Sequence, residues 1–403
     1  MFEIKPILSA LLRHKSSSLL MILQIAITFA VVVNSTSIIK QRIEMMERKT
    51  GMVDEYLLTF NTTAFGENHD QESDVRADLE LLRSLPGVVD VAPMNQIPMS
   101  GSGDSNGVAG SQEAFDNREV IGVGMYHGDS RAVHTLGVEL VEGRFFTEEE
   151  VVYTSQRPDI KSIIVTQSLA DKIFPNGDAL GKKLYFGGGI QIPIVGIVKQ
   201  MSGSWVGDSI FNDNVITPFV GLQNFQRYLI RAESEQAVTR LLGEVEALLI
   251  KRNRERVVTG IRSMNELITR AYSGDAAMLK ILWIVIALLV LITALGIVGI
   301  VSFNVNQRIK QIGTRRALGA TKADILRYFV TENLLITSFG LLVGVLMTLG
   351  FNMFLAEKFA MPAFNWGLIP IGGILMFVVG IVAVWLPALR ASKISPAIAT
   401  QSV

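Results

Sequence analysis

Cysteine is absent from the 403-residue chain, which excludes disulfide bonds and thiolate chemistry and leaves the redox compartment unreadable from cysteine usage. Charged residues are also scarce, at 18% of the chain against 49% hydrophobic residues. The chain is too apolar for an ordinary soluble protein, yet it carries too many charges to lie wholly within a membrane. The composition therefore predicts membrane spans together with a folded domain in water.

The formal net charge of zero conceals an asymmetry along the chain. Residues 40–276 hold 33 acids and 24 bases, whereas the rest of the chain holds 13 bases and 4 acids. A protein that binds nucleic acid would need a basic face on its folded domain. The acidic balance of residues 40–276 argues against such a partner.

Four apolar runs are long enough to cross a bilayer as helices. The predicted segments are a cytoplasmic amphipathic helix (1–18), TM1 (19–39), an extracytoplasmic domain (40–276), TM2 (277–304), a cytoplasmic loop (305–327), TM3 (328–355), TM4 (366–389) and a cytoplasmic tail (390–403). Because Lys and Arg beside a span resist translocation, the basic loop and tail predict that both termini are cytoplasmic. The first run lacks a good cleavage site and is expected to be an uncleaved anchor.

The extracytoplasmic domain has the pattern of an α+β fold. A strand at 55–60, followed by a helix and a second strand, predicts a strand–helix–strand unit near its start, and a similar unit recurs near its end. These units predict one subdomain built from 40–95 and 215–276, with a mainly β subdomain inserted at 96–214. Helical patterns at 40–49 and 263–277 predict stalks continuous with TM1 and TM2, the second interrupted at Gly274.

Inside the third span, Gly340 and Gly344 form a small-xxx-small pattern that favours close helix packing. Glu332 lies one turn into this span. It is expected to pair with Arg327 or Arg316 at the interface rather than to relay protons. The spans otherwise lack ionisable residues, which argues against an ionic pathway through them.

Several short motifs resemble catalytic sites, but their context is wrong. Residues 103–107 match the G-x-S-x-G pattern, yet lie in a polar loop without the required strand before and helix after. Gly181-Lys182 fails the phosphate-loop spacing. His127 and His134 belong to no metal-binding pattern. No catalytic residue, cofactor site or metal site is predicted.

The most informative stretch is the basic loop between the second and third spans. It contains QIGTRRALGATKADIL, in which Gly313 and Gly319 divide short helical pieces and Thr321 is placed to cap the next helix. By its charge alone the loop is an ordinary positive-inside connector. Its sequence, however, resembles the signature of the FtsX-type permeases, the MacB-like membrane subunits of ABC transporters. The sequence of residues 140–198 is similar to that of the extracytoplasmic domain of the same family.

This resemblance implies that the loop holds a coupling helix that seats on a separate ABC ATPase, which binds the ATP. The implied coupling residues are Arg308, Gln311, Gly313, Arg315, Arg316, Leu318, Gly319, Ala320 and Asp324. It further implies a non-catalytic permease of the bacterial inner membrane, paired with a second copy or a sister permease. The implied role is to transmit ATP-driven motion to a split porter region and its inserted subdomain, exporting peptides, toxins or antibiotics through an adaptor and an outer-membrane channel.

Three alternatives share parts of this organisation: lipoprotein release of the LolC/LolE kind, FtsX-like regulation of a cell-wall hydrolase, and peptide sensing linked to a two-component system. The FtsX role is disfavoured by the size of the extracytoplasmic domain, and the sensor role by the small number of spans. The loop departs from the family pattern because Gln307 and Gln311 stand where Glu is common. In the tail, Ile398 likewise replaces a Glu. The more basic loop favours a dedicated ATPase partner.

Overall fold

The computed structural model describes residues 15–65, 70–359 and 365–395, with no side-chain description for Lys15 or for 355–359. The predicted amphipathic helix at 1–18 therefore lies almost wholly outside the described residues, as does most of the tail. Within them, the chain divides into two compact units. We call them the membrane bundle (15–46 and 275–395) and the large domain (Glu47–Gly274).

The α-helices, in chain order, are α1 (Lys15–Met46), α2 (Gln71–Arg83), α3 (Gln112–Asp116), α4 (Ala132–Leu136), α5 (Gln167–Ile173), α6 (Glu235–Arg252), α7 (Met264–Ala271), α8 (Ser273–Gln307), α9 (Ile309–Ala317), α10 (Lys322–Phe359) and α11 (Leu368–Ser392). The strands are β1 (Leu57–Ala64), β2 (Val88–Pro93), β3 (Ser105–Val108), β4 (Ile121–Gly128), β5 (Leu140–Gly143), β6 (Val152–Thr154), β7 (Ile163–Thr166), β8 (Lys183–Phe186), β9 (Ile190–Val198), β10 (Asn214–Gly221), β11 (Phe225–Ala232) and β12 (Arg256–Ser263).

Four of these helices are long and apolar enough to cross a membrane, namely α1, α8, α10 and α11. Three of them contain a predicted span and extend beyond it at both ends, whereas α11 begins two residues after the predicted start of TM4 at 366 and extends beyond its predicted end at 389. The helices are longer than the apolar runs because the backbone hydrogen bonds within each helix continue through the polar residues at its ends. The fold class predicted from the sequence, four spans plus a large domain of helices and strands, is confirmed.

In the membrane bundle, α1 packs against both α10 and α11. Phe29 and Ile25 of α1, each 1% exposed, lie in one apolar core with Ile336 of α10 and Val384 of α11. Helices associate in lipid through close packing, since lipid tails are as apolar as leucine. This core also includes Ile297 and Val301 of α8, so all four spans contribute to it.

The contact between α1 and α8 is more polar. The Gln24 side-chain amide donates to the Ile292 carbonyl at 3.1 Å, and the hydroxyls of Thr28 and Thr293 lie 2.7 Å apart. Near the other end, Arg42 pairs with Asp275 at 2.8 Å. Hydrogen bonds between helices in a bilayer contribute on the order of 0.6–2 kcal/mol each, so these polar pairs help to set the register of α8 on α1.

The large domain contains two sheets. The first has the strand order β12-β1-β11-β2 and is antiparallel throughout. Its strands come from both ends of the domain, as the two strand–helix–strand units predicted. On one face, Phe60 of β1 lies in a common core with Leu79 of α2 and with Leu241 and Val245 of α6. On the other face, Leu57 and Leu229 pack with helices α4 and α7.

The second sheet has the order β3-β4-β10-β7-β9-β5, with β6 paired to β10 and β8 paired to β9. Strand β10 lies in its centre, whereas the sequence prediction ended this subdomain at residue 214. The correction follows from burial: β10 is covered on both faces and shows no alternation of polar and apolar residues. The inserted subdomain therefore extends through Gly221.

Two further predicted boundaries also shift. The first strand begins at Leu57, because Asp54–Tyr56 form a short 3-10 helix ahead of it. The break in the second stalk falls at Tyr272, the C-cap of α7, rather than at Gly274. Tyr272 is 5% exposed, and packing of this ring, not the flexibility of glycine, marks the break.

A buried ion-pair cluster ties α2 to the first sheet. Asp78, 2% exposed, accepts from Arg256 at 2.6 Å, from Arg252 at 2.7 Å and from the Tyr228 hydroxyl at 3.1 Å. Removing one partner of such a group leaves an uncompensated charge in the interior. The cluster is therefore a point at which a single change destabilises the large domain.

We predict that Asp78→Asn destabilises the large domain by about 3–5 kcal/mol, because Arg256 stays buried with only the more distant Asp74, at 3.7 Å, as a counter-charge. Glu80→Gln removes an exposed acid from the same helix and is the matched control, expected to have little effect. The measurement is the temperature at which residues 47–274 become protease-sensitive in the purified full-length chain. Equal behaviour of the two variants would contradict the prediction.

Candidate coupling site

The basic loop predicted from the sequence folds as a short helix between two spans. Helix α8 ends at Gln307, α9 covers Ile309–Ala317, and α10 begins at Lys322. Gly319 follows α9 with a φ of +99°, a backbone conformation that favours glycine. The chain therefore turns sharply between α9 and α10, and we call residues 308–324 the coupling segment.

The start of α10 is fixed by a capping box. The Thr321 hydroxyl accepts from the Asp324 amide at 3.2 Å, and the Asp324 carboxylate accepts from the Thr321 amide at 2.9 Å. This reciprocal pair satisfies two backbone donors at the helix N-terminus. It confirms the capping role predicted for Thr321 and gives Asp324 a local structural role.

The coupling segment is held to the bundle by one buried ion pair. The Arg308 guanidinium lies 3.1 Å from both carboxylate oxygens of Glu332, and each side chain is less than a tenth exposed. Arg308 is the N-cap of α9 and Glu332 lies in the third turn of α10. The pair thus joins the first residue of the coupling segment to a membrane-spanning helix.

This geometry corrects the prediction that Glu332 pairs with Arg327 or Arg316. Arg327 is exposed on another side of α10, and Arg316 is half-buried with a buried Nε that has no hydrogen-bond partner among the described residues. Arg308 was the missed partner, because the sequence does not show how sharply α9 folds back from α8. The hint available from the sequence was that Arg308 directly follows a span and Glu332 lies inside the next one.

The structure separates the predicted coupling residues by exposure. Arg308 and Gly313 are buried against the bundle, and Arg316 and Ala320 are half-buried. The exposed members are Gln311, Arg315, Leu318, Gly319 and Asp324. Leu318 is the extreme case, since 84% of its surface is exposed at the turn after α9. The segment therefore presents one large apolar side chain among cations, while its inner residues anchor it.

The predicted packing residues Gly340 and Gly344 lie where α10 crosses α1. A Cβ at Gly340 would meet Ile25 at 2.8 Å, and one at Gly344 would meet Phe29 at 2.9 Å and the Ala26 carbonyl at 3.1 Å. Both distances are shorter than a normal contact, so only glycine permits this approach. Gly380 of α11 likewise lies at a close helix contact, since a Cβ there would lie 2.8 Å from the Asn333 amide nitrogen.

The segments that resemble catalytic motifs do not have the geometry of catalytic sites. Ser105 begins β3, so a strand rather than a helix follows it, and no nucleophile elbow exists at residues 103–107. Lys182 pairs with Asp178 at 2.5 Å. His127 and His134 contact Thr217 and Asp90, respectively. Among the residues that the structure describes, no three His, Asp or Glu side chains cluster as metal ligands would.

Comparison with known families agrees with this arrangement. A model described as the MacB-like periplasmic core domain matches residues 18–248, more than half of the chain, and one described as the FtsX-like permease C-terminal matches residues 283–396. The chain belongs to the MacB-like, FtsX-type permease family. The second match contains the whole coupling segment of this permease.

Two relatives of known sequence resemble the permease over different shares of their own length. It is 26% identical over 289 residues to the macrolide export ATP-binding/permease protein MacB of Chromobacterium violaceum, an alignment that covers 70% of this chain and 42% of the relative. It is 23% identical over 401 residues to the uncharacterized ABC transporter permease YvrN of Bacillus subtilis, covering 95% of each. The chain thus spans less than half the length of the first relative and nearly all of the second.

Two solved structures resemble parts of the permease. The extracellular domain of the ABC-type transporter YknZ from Gram-positive bacteria is 16% identical with a TM-score of 0.33, covering 50% of this chain and all of that one. The periplasmic region of MacB from Actinobacillus actinomycetemcomitans is 16% identical with a TM-score of 0.32, covering 54% of this chain and 94% of that one.

The ion pair generates a prediction about the mobility of α9. In Arg308→Gln, the buried ion pair with Glu332 is lost, at a cost of about 3–5 kcal/mol, and α9 loses one of its contacts with α10. Lys310→Gln removes an exposed cation from the same helix and is the control. Hydrogen exchange at residues 309–317 should accelerate in the first variant only, and unchanged exchange would show that the pair does not hold α9.

The glycine contacts generate a prediction about the bundle. Gly344→Leu should destabilise it by about 1–3 kcal/mol, because the new side chain collides with α1. Gly350→Leu is the control, since a Cβ at Gly350 has nothing within 4 Å. Unfolding of each variant by dodecyl sulfate in mixed micelles measures the difference, and equal midpoints would refute close packing at Gly344.

Proposed function

We propose that this permease is the membrane subunit of an ABC-type efflux system. In this proposal a separate ATPase binds ATP in the cytosol, its closure pushes on the coupling segment, and the motion reaches the large domain on the other side of the membrane. The substrates would be peptides, toxins or antibiotics that leave through an adaptor and an outer-membrane channel. The permease itself would have no catalytic role.

The observation that carries the proposal is the form of the coupling segment. Leu318 is exposed to water beside cations, an arrangement that fits an apolar pocket with an acidic rim on a partner. Arg308, at the other end of α9, is fixed to α10 by the pair with Glu332. A displacement of the turn at Leu318 would therefore move a membrane-spanning helix and not only a flexible loop.

The distribution of charge supports the orientation. The coupling segment carries Arg and Lys between two closely spaced spans, which favours the cytoplasmic side of the inner membrane. With four spans, both termini and the coupling segment lie on that side and the large domain on the other. The names of the relatives are consistent with this role, since each describes an ABC permease or an ATP-binding permease.

The 403 residues contain no phosphate-loop motif of the G-x-x-x-x-G-K-[ST] type, so the ATPase is proposed as a partner. A second permease, identical or related, would complete a pair with two ATPases. The neutral Gln311, exposed on α9, leaves the segment more basic than is common in the family. This favours a dedicated ATPase with a strongly acidic docking site.

We predict that Leu318→Glu lowers co-purification of the ATPase at least about tenfold, because a buried leucine contributes roughly 1.5–3 kcal/mol and the new carboxylate would face an acidic rim. The double change Arg315→Glu and Arg316→Glu should abolish co-purification. Leu318 makes the cleaner test, since its side chain is almost free of contacts within the permease.

Lys393→Glu, an exposed charge reversal outside the coupling segment, is the control and should leave binding unchanged. Wild-type levels of ATPase with Leu318→Glu and with the double variant would overturn the proposal. The other proteins captured with the wild-type complex then distinguish efflux from its alternatives, since an adaptor, a lipoprotein chaperone and a hydrolase are chemically distinct partners.

A further inference from the structure

The large domain contains a groove that the coupling mechanism does not use. Two cavities, of about 320 Å³ and about 530 Å³, share Asp104, His127 and Phe219 in their walls and therefore adjoin. The smaller cavity reaches strand β11 of the first sheet, and the larger one lies on the second sheet. Together they fall within the range of roughly 300–1,000 Å³ that is typical of small-molecule sites.

The larger cavity is floored by apolar side chains. Met125 of β4 and Ile192 of β9 belong to the core of the second sheet and also line this cavity. Phe219 follows on β10, with its ring 5.4 Å from the His127 ring in an edge-to-face arrangement. An apolar or aromatic body can therefore lie against continuous apolar surface.

The smaller cavity ends at Arg227. This guanidinium donates to the Asn95 carbonyl at 2.7 Å and lies 5.2 Å from the centre of the Phe225 ring. No carboxylate lies within ion-pair distance of it among the described residues. Burial lowers the pKa of Arg227, which means that loss of water destabilises the charge and that an anionic neighbour would restore its stability.

The acids of the groove are already matched by bases. Asp104 lies 3.8 Å from the His127 ring nitrogen, and this histidine holds the pKa of the carboxyl below its usual value. Asp159 lies 4.0 Å from Lys161. Arg157, which lines the larger cavity, likewise has no carboxylate partner in the described part of the chain. The unmatched charges are thus both positive.

We propose that this groove binds an apolar or aromatic molecule carrying a carboxylate, with its body against Met125, Ile192 and Phe219 and its carboxylate on Arg227. The inference rests on the proposed function in one respect: it assigns a class of exported substrate to the large domain. A charge-assisted hydrogen bond to the half-buried guanidinium would make the groove selective for the carboxylate over a neutral analogue. A neutral analogue would leave Arg227 without an anionic partner.

The test uses a long-chain aryl carboxylic acid that bears a diazirine, with its uncharged primary amide as the matched probe. Each is photolysed with the full-length permease in lipid nanodiscs, and the labelled peptides are identified by mass spectrometry. The acid should label the peptides that contain β4 and β10. In Arg227→Gln this labelling should fall about tenfold, the loss expected for one charge-assisted hydrogen bond.

Two variants serve as controls. Arg227→Lys keeps the charge and should retain most of the labelling, whereas Arg254→Gln removes an exposed arginine outside the groove and should have no effect. Equal labelling by acid and amide, or labelling confined to the membrane-spanning helices, would overturn the proposal. So would labelling that is insensitive to Arg227→Gln.

The ATPase is absent from this experiment, so its outcome is independent of the coupling proposal. If ATPase co-purification depends on Leu318 but the groove is not labelled, the substrate assignment fails alone. If the groove is labelled but no ATPase is captured, the coupling proposal fails and the site remains.

Discussion

The buried pair between Arg308 and Glu332 is the constraint on which the position of the coupling segment depends. Two opposite charges lie almost fully out of water, and the attraction between them offsets part of the cost of burying both. Arg308 begins α9, so the pair also decides where the coupling segment can lie against α10. Without it, a helix of nine residues would be only marginally stable in contact with water.

Helix α1 packs against α10 and against α8 through two interfaces of different chemical character. Toward α10 it offers Ile25, Ala26 and Phe29 to the glycines of that helix, and the contact is dry and close. Toward α8 it offers Gln24 and Thr28, which hydrogen-bond across the interface. Close apolar packing resists separation, while hydrogen bonds fix register, so α1 sets both the spacing and the alignment of its neighbours.

The sequence predicted the spans, the split origin of the first sheet and the coupling segment because each depends on local patterns. Apolar runs identify spans, glycines identify the turn at Gly319, and Thr321 identifies a helix start. The partner of Glu332 and the place of β10 could not be predicted in this way. Both depend on which distant segments meet, and β10 also lacks the alternation that marks a half-buried strand.

The contact between α10 and α11 differs from the other contacts of the bundle. Both amide atoms of Asn333 and the hydroxyl of Thr337 are buried there, and none finds a hydrogen-bond partner among the described residues. Ser338 and Thr348 on the same helix avoid this by donating to their own backbone. Each unsatisfied group costs about 1–3 kcal/mol, and Gly380 of α11 lies directly against both Asn333 and Thr337. Per unit of packed surface, the α10–α11 contact therefore contributes less stabilising free energy than the α10–α1 contact. Because Asn333 directly follows Glu332, the buried ion pair of α10 is adjacent in the chain to these unsatisfied polar groups.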